Sequence, residues 1–279
     1  MASNGGNGHV HRVAIVSGGA SGIGLAMSQH FASEGYDVAI FDVDVKAGKD
    51  IVSQLASEHP QMRVVFKLCD VSSWQSQAQN FKEVHGEFGR IDVVCANAGI
   101  SEKGTSALAS IETDEPVEPN LKTMDVNLSG VIYSVKLAVH YMSKNDTNGL
   151  SRGSIICTAS NAGLYPFPVS PLYAASKSGV IGLVRSTAPI LERHNIQINA
   201  LAPAVLVTNI APSKDLFKDM IITPMSTLVK GVAQFISDPH LSGEIAEIHG
   251  DSVTLRPPHE FVDEDSKKNL QNFWNLGYA

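Results

Sequence analysis

The sequence predicts a single-domain α/β fold: a doubly wound, mostly parallel seven-stranded sheet with helices on both faces. Short apolar runs alternate with longer amphipathic ones along the chain. The short runs are almost continuously hydrophobic, as strands covered on both faces must be. No repeat, low-complexity linker or composition break divides the 279 residues, of which 43% are hydrophobic. That is enough for one large core.

The strands are expected at RVAIVS (12–17), DVAIFD (37–42), RVVFKL (63–68), IDVVCA (91–96), GSIICTA (153–159), IQINALA (196–202) and GEIAEIH (243–249). Helices are expected at 22–34, 45–58, 73–88, 117–144 and 172–194. In 73–88, Trp74, Ala78, Phe81 and Val84 or Phe88 recur at helical spacing. Residues 204–230 break the alternation with Pro212 and Pro224. Their apolar residues Leu216, Phe217, Met220, Ile221 and Ile222 suit a short helical lid over 205–230. Residues 1–10 are polar and glycine-rich and read as a flexible leader. The domain proper is 11–255. The tail, 256–279, ends in NLQNFWNLGYA, which is expected to pack on the body or on a partner subunit through Phe273 and Trp274.

Composition narrows the function. A net charge of −7 speaks against a nucleic-acid footprint. No window approaches the roughly 18 apolar residues of a membrane span. The three cysteines, Cys69, Cys95 and Cys157, all lie in apolar runs and suit a reduced, cytoplasmic protein in which they fill core. The ten histidines show no ligand spacing, so no metal is expected.

The first strand runs into IVSGGASGIG, where Gly18, Gly22 and Gly24 precede the first helix. Glycines there permit a tight turn, and the helix N-terminus offers its amides to a pyrophosphate. A glycine-rich loop alone is often just a turn; its place at the first strand–helix junction favours nucleotide binding. Asp42 closes the second strand, where a carboxylate can accept hydrogen bonds from a ribose. It would repel a 2′-phosphate, as would Asp44, and no Lys or Arg lies between Gly18 and Asp42. The cofactor expected is NAD(H), not NADP(H).

LYAASKSGV (172–180) sets Tyr173 and Lys177 one helical turn apart on one face. A lone tyrosine is most often a core-edge residue, and a lone lysine a solvated one. Together, a cation beside a phenol can favour the phenolate and lower a pKa of about 10.

In combination these motifs resemble the short-chain dehydrogenase/reductase family, over roughly residues 10 to 250. The resemblance implies a Rossmann fold. It implies a cofactor site at Gly18, Ser21, Gly22, Ile23, Gly24, Asp42 and Val43, with Asp70 and Val71 of CDVS at the adenine. ANAG supplies Asn97, Ala98 and Gly99, with Ala96 where the family has a first Asn. DVNLSG supplies Asn127, and Ser160 stands 13 residues before Tyr173. Asn127, Ser160, Tyr173 and Lys177 thus match the family's catalytic tetrad. By that resemblance Tyr173 is general base and acid, and Ser160 orients the substrate oxygen. Lys177 holds the nicotinamide ribose, and Asn127 bends its helix and anchors a water that reaches Lys177.

Pro203, Val205 and Thr208, in APAVLVT, fall where the family meets the nicotinamide, with Val207 a further neighbour. Ala204 replaces the family's usual glycine and should make that turn less permissive. The ending EIHGDSVTLRPPHEF departs from the family's common Asp-Gly-Gly and looks closest to the hydroxyprostaglandin dehydrogenase-like branch. Relatives pair through the helices corresponding to 117–144 and 172–194, which implies a homodimer or homotetramer.

The substrate pocket is expected from 100–106, 161–171 and 205–225. Its wall would include Leu164, Tyr165, Phe167, Val169, Leu206, Phe217 and Met220 beside Ser160 and Tyr173. Such an apolar wall suits a medium-sized secondary alcohol or its ketone. Alternatives are a biosynthetic ketone reductase using the same tetrad in reverse, and a non-redox NAD-binding sensor or scaffold.

Overall fold

The computed structural model describes residues 11–102, 108, 111, 115–146, 151–210 and 217–277. The expected leader, residues 103–106 of the pocket segment, and Pro212 and Leu216 of the lid lie outside the described residues.

Eight strands form one sheet in the order β3-β2-β1-β4-β5-β6-β7-β8. They are β1 (Val13–Ser17), β2 (Asp37–Asp42), β3 (Val64–Leu68), β4 (Val93–Ala96), β5 (Gly153–Thr158), β6 (Ile196–Pro203), β7 (Ile245–His249) and β8 (Ser252–Leu255). All pairings through β7 are parallel. β8 runs antiparallel to β7, joined through the turn at Gly250 and Asp251. The sheet therefore has one strand more than expected. β8 is only SVTL, with Ser252 and Thr254 exposed and Val253 and Leu255 half-buried. Such a short, half-polar edge strand lacks the apolar run that marks the others.

The helices are α1 (Gly22–Ser33), α2 (Val45–Glu58), α3 (Trp74–Phe88), α4 (Lys122–Met124), α5 (Gly130–Met142), α6 (Pro171–Glu192), α7 (Met225–Ser237) and α8 (Glu264–Asn275). Two expectations change. The helix anticipated over 117–144 starts at Lys122 and is interrupted by a π-helical stretch, Asp125–Ser129, that carries Asn127 at its centre. The lid expected over 205–230 stops short of its end: from Met225 the chain is already α7, a core helix that buries Leu228, Val232 and Phe235. Pro224 sits just before its first residue and ends the preceding irregular segment.

Alternation along the strands sends side chains to two core layers. Ile15, Val94, Ile155 and Ile198 face α3, α5 and α6, meeting Phe81, Val135, Val180 and Val184. Val16, Val38, Ile156 and Leu201 face α1 and α7, meeting Met27, Phe31, Leu228 and Phe235. The three cysteines are buried and free. Burial pushes the Cys69 thiol up to about 11 and the Cys157 thiol up to about 12.

The tail is ordered differently. Arg185 on α6 donates to the carbonyls of Arg256 and Pro257, strapping the chain after β8 across that helix. α8 follows with no buried residue of its own, and Arg193 lies 4.4 Å over the Trp274 ring. No helix among the described residues is long and apolar enough to cross a membrane.

Because β1 is flanked by β2 on one side and β4 on the other, successive connections leave in opposite directions there. That reversal opens a crevice at the carboxyl ends of β1 and β4, the place where open parallel sheets bind ligands.

Candidate active site

The crevice is floored by the glycine loop. Gly18 and Gly22 have φ of 64° and 51°, a backbone that L side chains avoid. A Cβ on Gly24 would fall 2.0 Å from the Gly18 carbonyl oxygen, so the loop folds onto the helix only if that position is bare. Gly24→Ala is therefore expected to destabilise the fold by about 1–3 kcal/mol. It should also weaken dinucleotide binding about tenfold or more, read by thermal denaturation and cofactor titration.

The residues present fit a dinucleotide. α1 carries no acidic residue in its first turn, and Ser21 at its start is exposed with no capping bond. Its positive end is therefore open to an anion. Thr208 stands against Gly22, where an added Cβ would meet its side chain at 3.3 Å, so the segment after β6 closes over the loop. Asp42 is half-buried beside the same loop; its carboxylate accepts from the Ala20 and Asp44 amides at 3.1 and 3.0 Å. Asp44 instead caps α2, accepting from Ala47 at 2.9 Å. Val43 is exposed next to it. Asp70 is exposed, with its carboxylate turned onto Ser72, while Val71 is buried in the core. Ile23 packs half-buried on the α1 side of the sheet.

A polar ladder that the sequence did not announce ties the strand ends together. Ser17 Oγ accepts from the Asn97 and Ala98 amides at 2.9 and 3.1 Å. Asn97 Nδ2 donates to the Ser17 carbonyl at 3.0 Å, and Thr158 Oγ1 donates to Asn97 Oδ1 at 3.0 Å. The signal was a hydroxyl at the carboxyl end of an otherwise apolar strand, in VAIVS and in GSIICT. This ladder fixes Asn97, Ala98 and Gly99 beside the glycine loop.

Four candidate residues converge beyond it. Ser160 is buried beside the Tyr173 phenol; its Oγ accepts from the Ala162 amide at 3.1 Å and donates to Asn161 Oδ1 at 3.3 Å. Lys177 is buried with its Nζ donating to the Thr158 carbonyl at 2.7 Å and lying 5.6 Å from the Tyr173 ring centre. Asn127 is wholly buried. Its Oδ1 accepts from the Ile100 amide and its Nδ2 donates to the Ile100 carbonyl, both at 2.8 Å. Asn127 is thus locked to the loop after β4, and a Cβ on Gly99 would meet both its Oδ1, at 3.3 Å, and Lys177 Nζ, at 3.5 Å.

Electrostatics correct one expectation. Burial raises the Tyr173 phenol above its ordinary value, and the neighbouring Ser160 hydroxyl offsets part of that rise. The Lys177 ammonium, 5.6 Å from the ring centre, does not reverse it in the free protein. Burial instead lowers Lys177 to about 8, so the ammonium is itself costly to hold.

The pocket wall is redistributed. Leu206 is buried in the core layer that α1 and α7 cover, so it fills core, not pocket. Tyr165 donates its hydroxyl to Glu247 at 3.0 Å, with Arg256 near its ring, and so is drawn to the sheet edge. Phe167 lies 6.2 Å from the Tyr173 ring and is partly exposed. Leu164 packs on the core, Val169 and Met220 are exposed, and Phe217 is half-buried. Pro203 ends β6 buried, and the Val205 carbonyl accepts from the buried Thr223. Ala204 has no positive φ, so the missing glycine costs nothing there. Val207 is exposed.

Comparison with known proteins agrees with this geometry. A short-chain dehydrogenase/reductase of Penicillium rubens, prx6, is 33% identical over 258 residues, covering 87% of this chain and 84% of that protein. Human 15-hydroxyprostaglandin dehydrogenase [NAD(+)] is 32% identical, covering 86% of this chain and 92% of its own length. Among solved structures, an NADPH-dependent 3-quinuclidinone reductase from Rhodotorula rubra superposes with a TM-score of 0.75 at 25% identity, over 86% of this chain and 90% of that one. Residues 12–218 match the family described as short chain dehydrogenase. The crevice at β1 and β4, the bare glycine turn and the convergence of Ser160, Tyr173 and Lys177 are thus the features of a chain that belongs to the short-chain dehydrogenase/reductase family of oxidoreductases.

Proposed function

We propose that this chain is an NAD(H)-dependent oxidoreductase that interconverts a medium-sized, largely apolar secondary alcohol and its ketone. The observation that carries the reading is the Tyr173 phenol with the Ser160 hydroxyl beside it and the buried Lys177 ammonium 5.6 Å from its ring centre, next to the glycine-loop crevice. The cofactor, when bound, supplies the hydride acceptor or donor. Tyr173 takes the hydroxyl proton of the alcohol, or returns it to the carbonyl oxygen in reverse. Ser160 holds that oxygen, Lys177 reaches the cofactor ribose, and Asn127 fixes the loop between them.

Asp42 supports NAD. It is held at the end of β2 against the glycine loop, where a 2′-phosphate would meet its charge. Two of the three similar proteins carry a cofactor in their names, NAD(+) for one and NADPH for the other, so this chain's own carboxylate is proposed to carry the choice. Asp42→Ala should lower the preference for NAD over NADP by about tenfold or more. Kd values for both cofactors, measured beside a turnover screen of secondary alcohols and ketones of graded size, test the proposal. Unchanged selectivity would place the choice elsewhere, and no turnover of any alcohol or ketone would favour a sensor.

The chain is also proposed to pair through α5 and α6, whose outer faces leave Ile132 and Ile190 exposed. A monomer mass by light scattering would remove that part.

A further inference from the structure

We infer that Glu102 is a positioning residue for Tyr173, a role that rests on the function proposed above. α6 begins at Pro171, which has no N–H, and Ser170 before it makes no side-chain cap. The first-turn donors therefore need an acceptor from another part of the chain. Glu102, on the loop after β4, supplies it: its Oε2 accepts from the Tyr173 backbone N–H at 3.0 Å. The bond is charge-assisted and sits at the positive end of a 22-residue helix.

Its neighbours explain why this bond does more than cap. Ile100 is held at both its amide and its carbonyl by Asn127. Ser101 Oγ donates to the Ile210 carbonyl at 3.1 Å, where the segment after β6 turns over the site. Three consecutive residues thus hold three separate elements: the π-helical turn, the segment after β6 and the backbone of the tyrosine. Tyr173 stands in the first turn of α6, the part of a helix that frays most readily. Glu102 is what stops it fraying, and with it holds the phenol within reach of Ser160. A displacement of about 1 Å at such a group can cost on the order of 10²-fold in rate.

The test compares Glu102→Ala with Glu102→Gln in the full-length protein, because a glutamine keeps an acceptor oxygen and loses only the charge. Hydrogen exchange over the peptide containing Tyr173 needs no substrate. It should quicken about tenfold in the alanine variant. With the best secondary alcohol found, kcat should fall about tenfold while NAD affinity and Tm hold. Glutamine should restore most of both effects. Wild-type exchange in Glu102→Ala, or faster exchange with unchanged kcat, would overturn the positioning role. Glutamine as impaired as alanine would overturn the hydrogen-bond account. Turnover surviving Tyr173→Phe would instead overturn the proposed function, while leaving the exchange result intact, so the two failures are separable.

Discussion

Tyr173→Phe should lose about 10²- to 10⁴-fold in kcat while binding NAD(H) as tightly as the wild type. On the proposed function the phenol oxygen moves the proton, and the ring that remains in the variant fills the same space. Burial raises the phenol in the free protein, so at neutral pH it rests protonated. It can serve as a base only if charge is supplied beside it at the moment of reaction. Steady-state kinetics with a saturating secondary alcohol, beside cofactor titration, check both halves. Full turnover by the phenylalanine variant would remove Tyr173 from the chemistry.

Lys177→Met should be nearly as severe, losing about 10²- to 10³-fold in turnover, because a preorganised positive charge is removed from a dry site. The same substitution makes a second, independent prediction. Burial lowers Lys177 from 10.5 to about 8. Below about pH 8 both folded and unfolded chains carry the ammonium, and the fold bears the full cost of burying it. Between about 8 and 10.5 the unfolded chain binds the proton and the folded one does not. Stability from this group therefore rises with pH across that window, by on the order of 3 kcal/mol. The raised cysteines act oppositely at higher pH, so the useful quantity is the difference between the two proteins' stability curves. That difference should grow with pH between about 8 and 10.5. A flat difference would mean that Lys177 is not held as an expensive buried cation.

The strands of the parallel sheet were legible because burial on both faces demands continuous apolar runs, and DVAIFD or GSIICT leave little alternative. The glycine loop was legible for a related reason: the loop folds against Asn97 and Gly18 only with bare positions, and bare positions are glycines. β8 was not, since four half-polar residues at an edge carry no run. α7 was hidden behind Pro224, whose usual meaning is a break but which here precedes a helix start. The pocket was the least legible part. Composition shows that Leu206 and Tyr165 are apolar or aromatic, but not which way they point. One fills the core under α7 and the other reaches Glu247. Glu102 left no signal at all, because its partner is 71 residues away and is a backbone amide. That Asn127, Ser160, Tyr173 and Lys177 lie together was readable from spacing, but the direction of the electrostatics was not: proximity in sequence suggested a lowered phenol, and burial raises it.

That reversal defines the central claim: the Tyr173 phenol, raised by burial in the free protein, becomes a usable base only beside bound oxidised cofactor and the Lys177 ammonium. The direct measurement is an NMR titration of the ring-labelled Tyr173 phenol, with and without saturating NAD⁺. The phenol should titrate above its ordinary value of about 10 in the free protein. Its pKa should fall markedly when NAD⁺ is present, and fall less in Lys177→Met. A phenol that titrates at the same pH with and without NAD⁺ would contradict it.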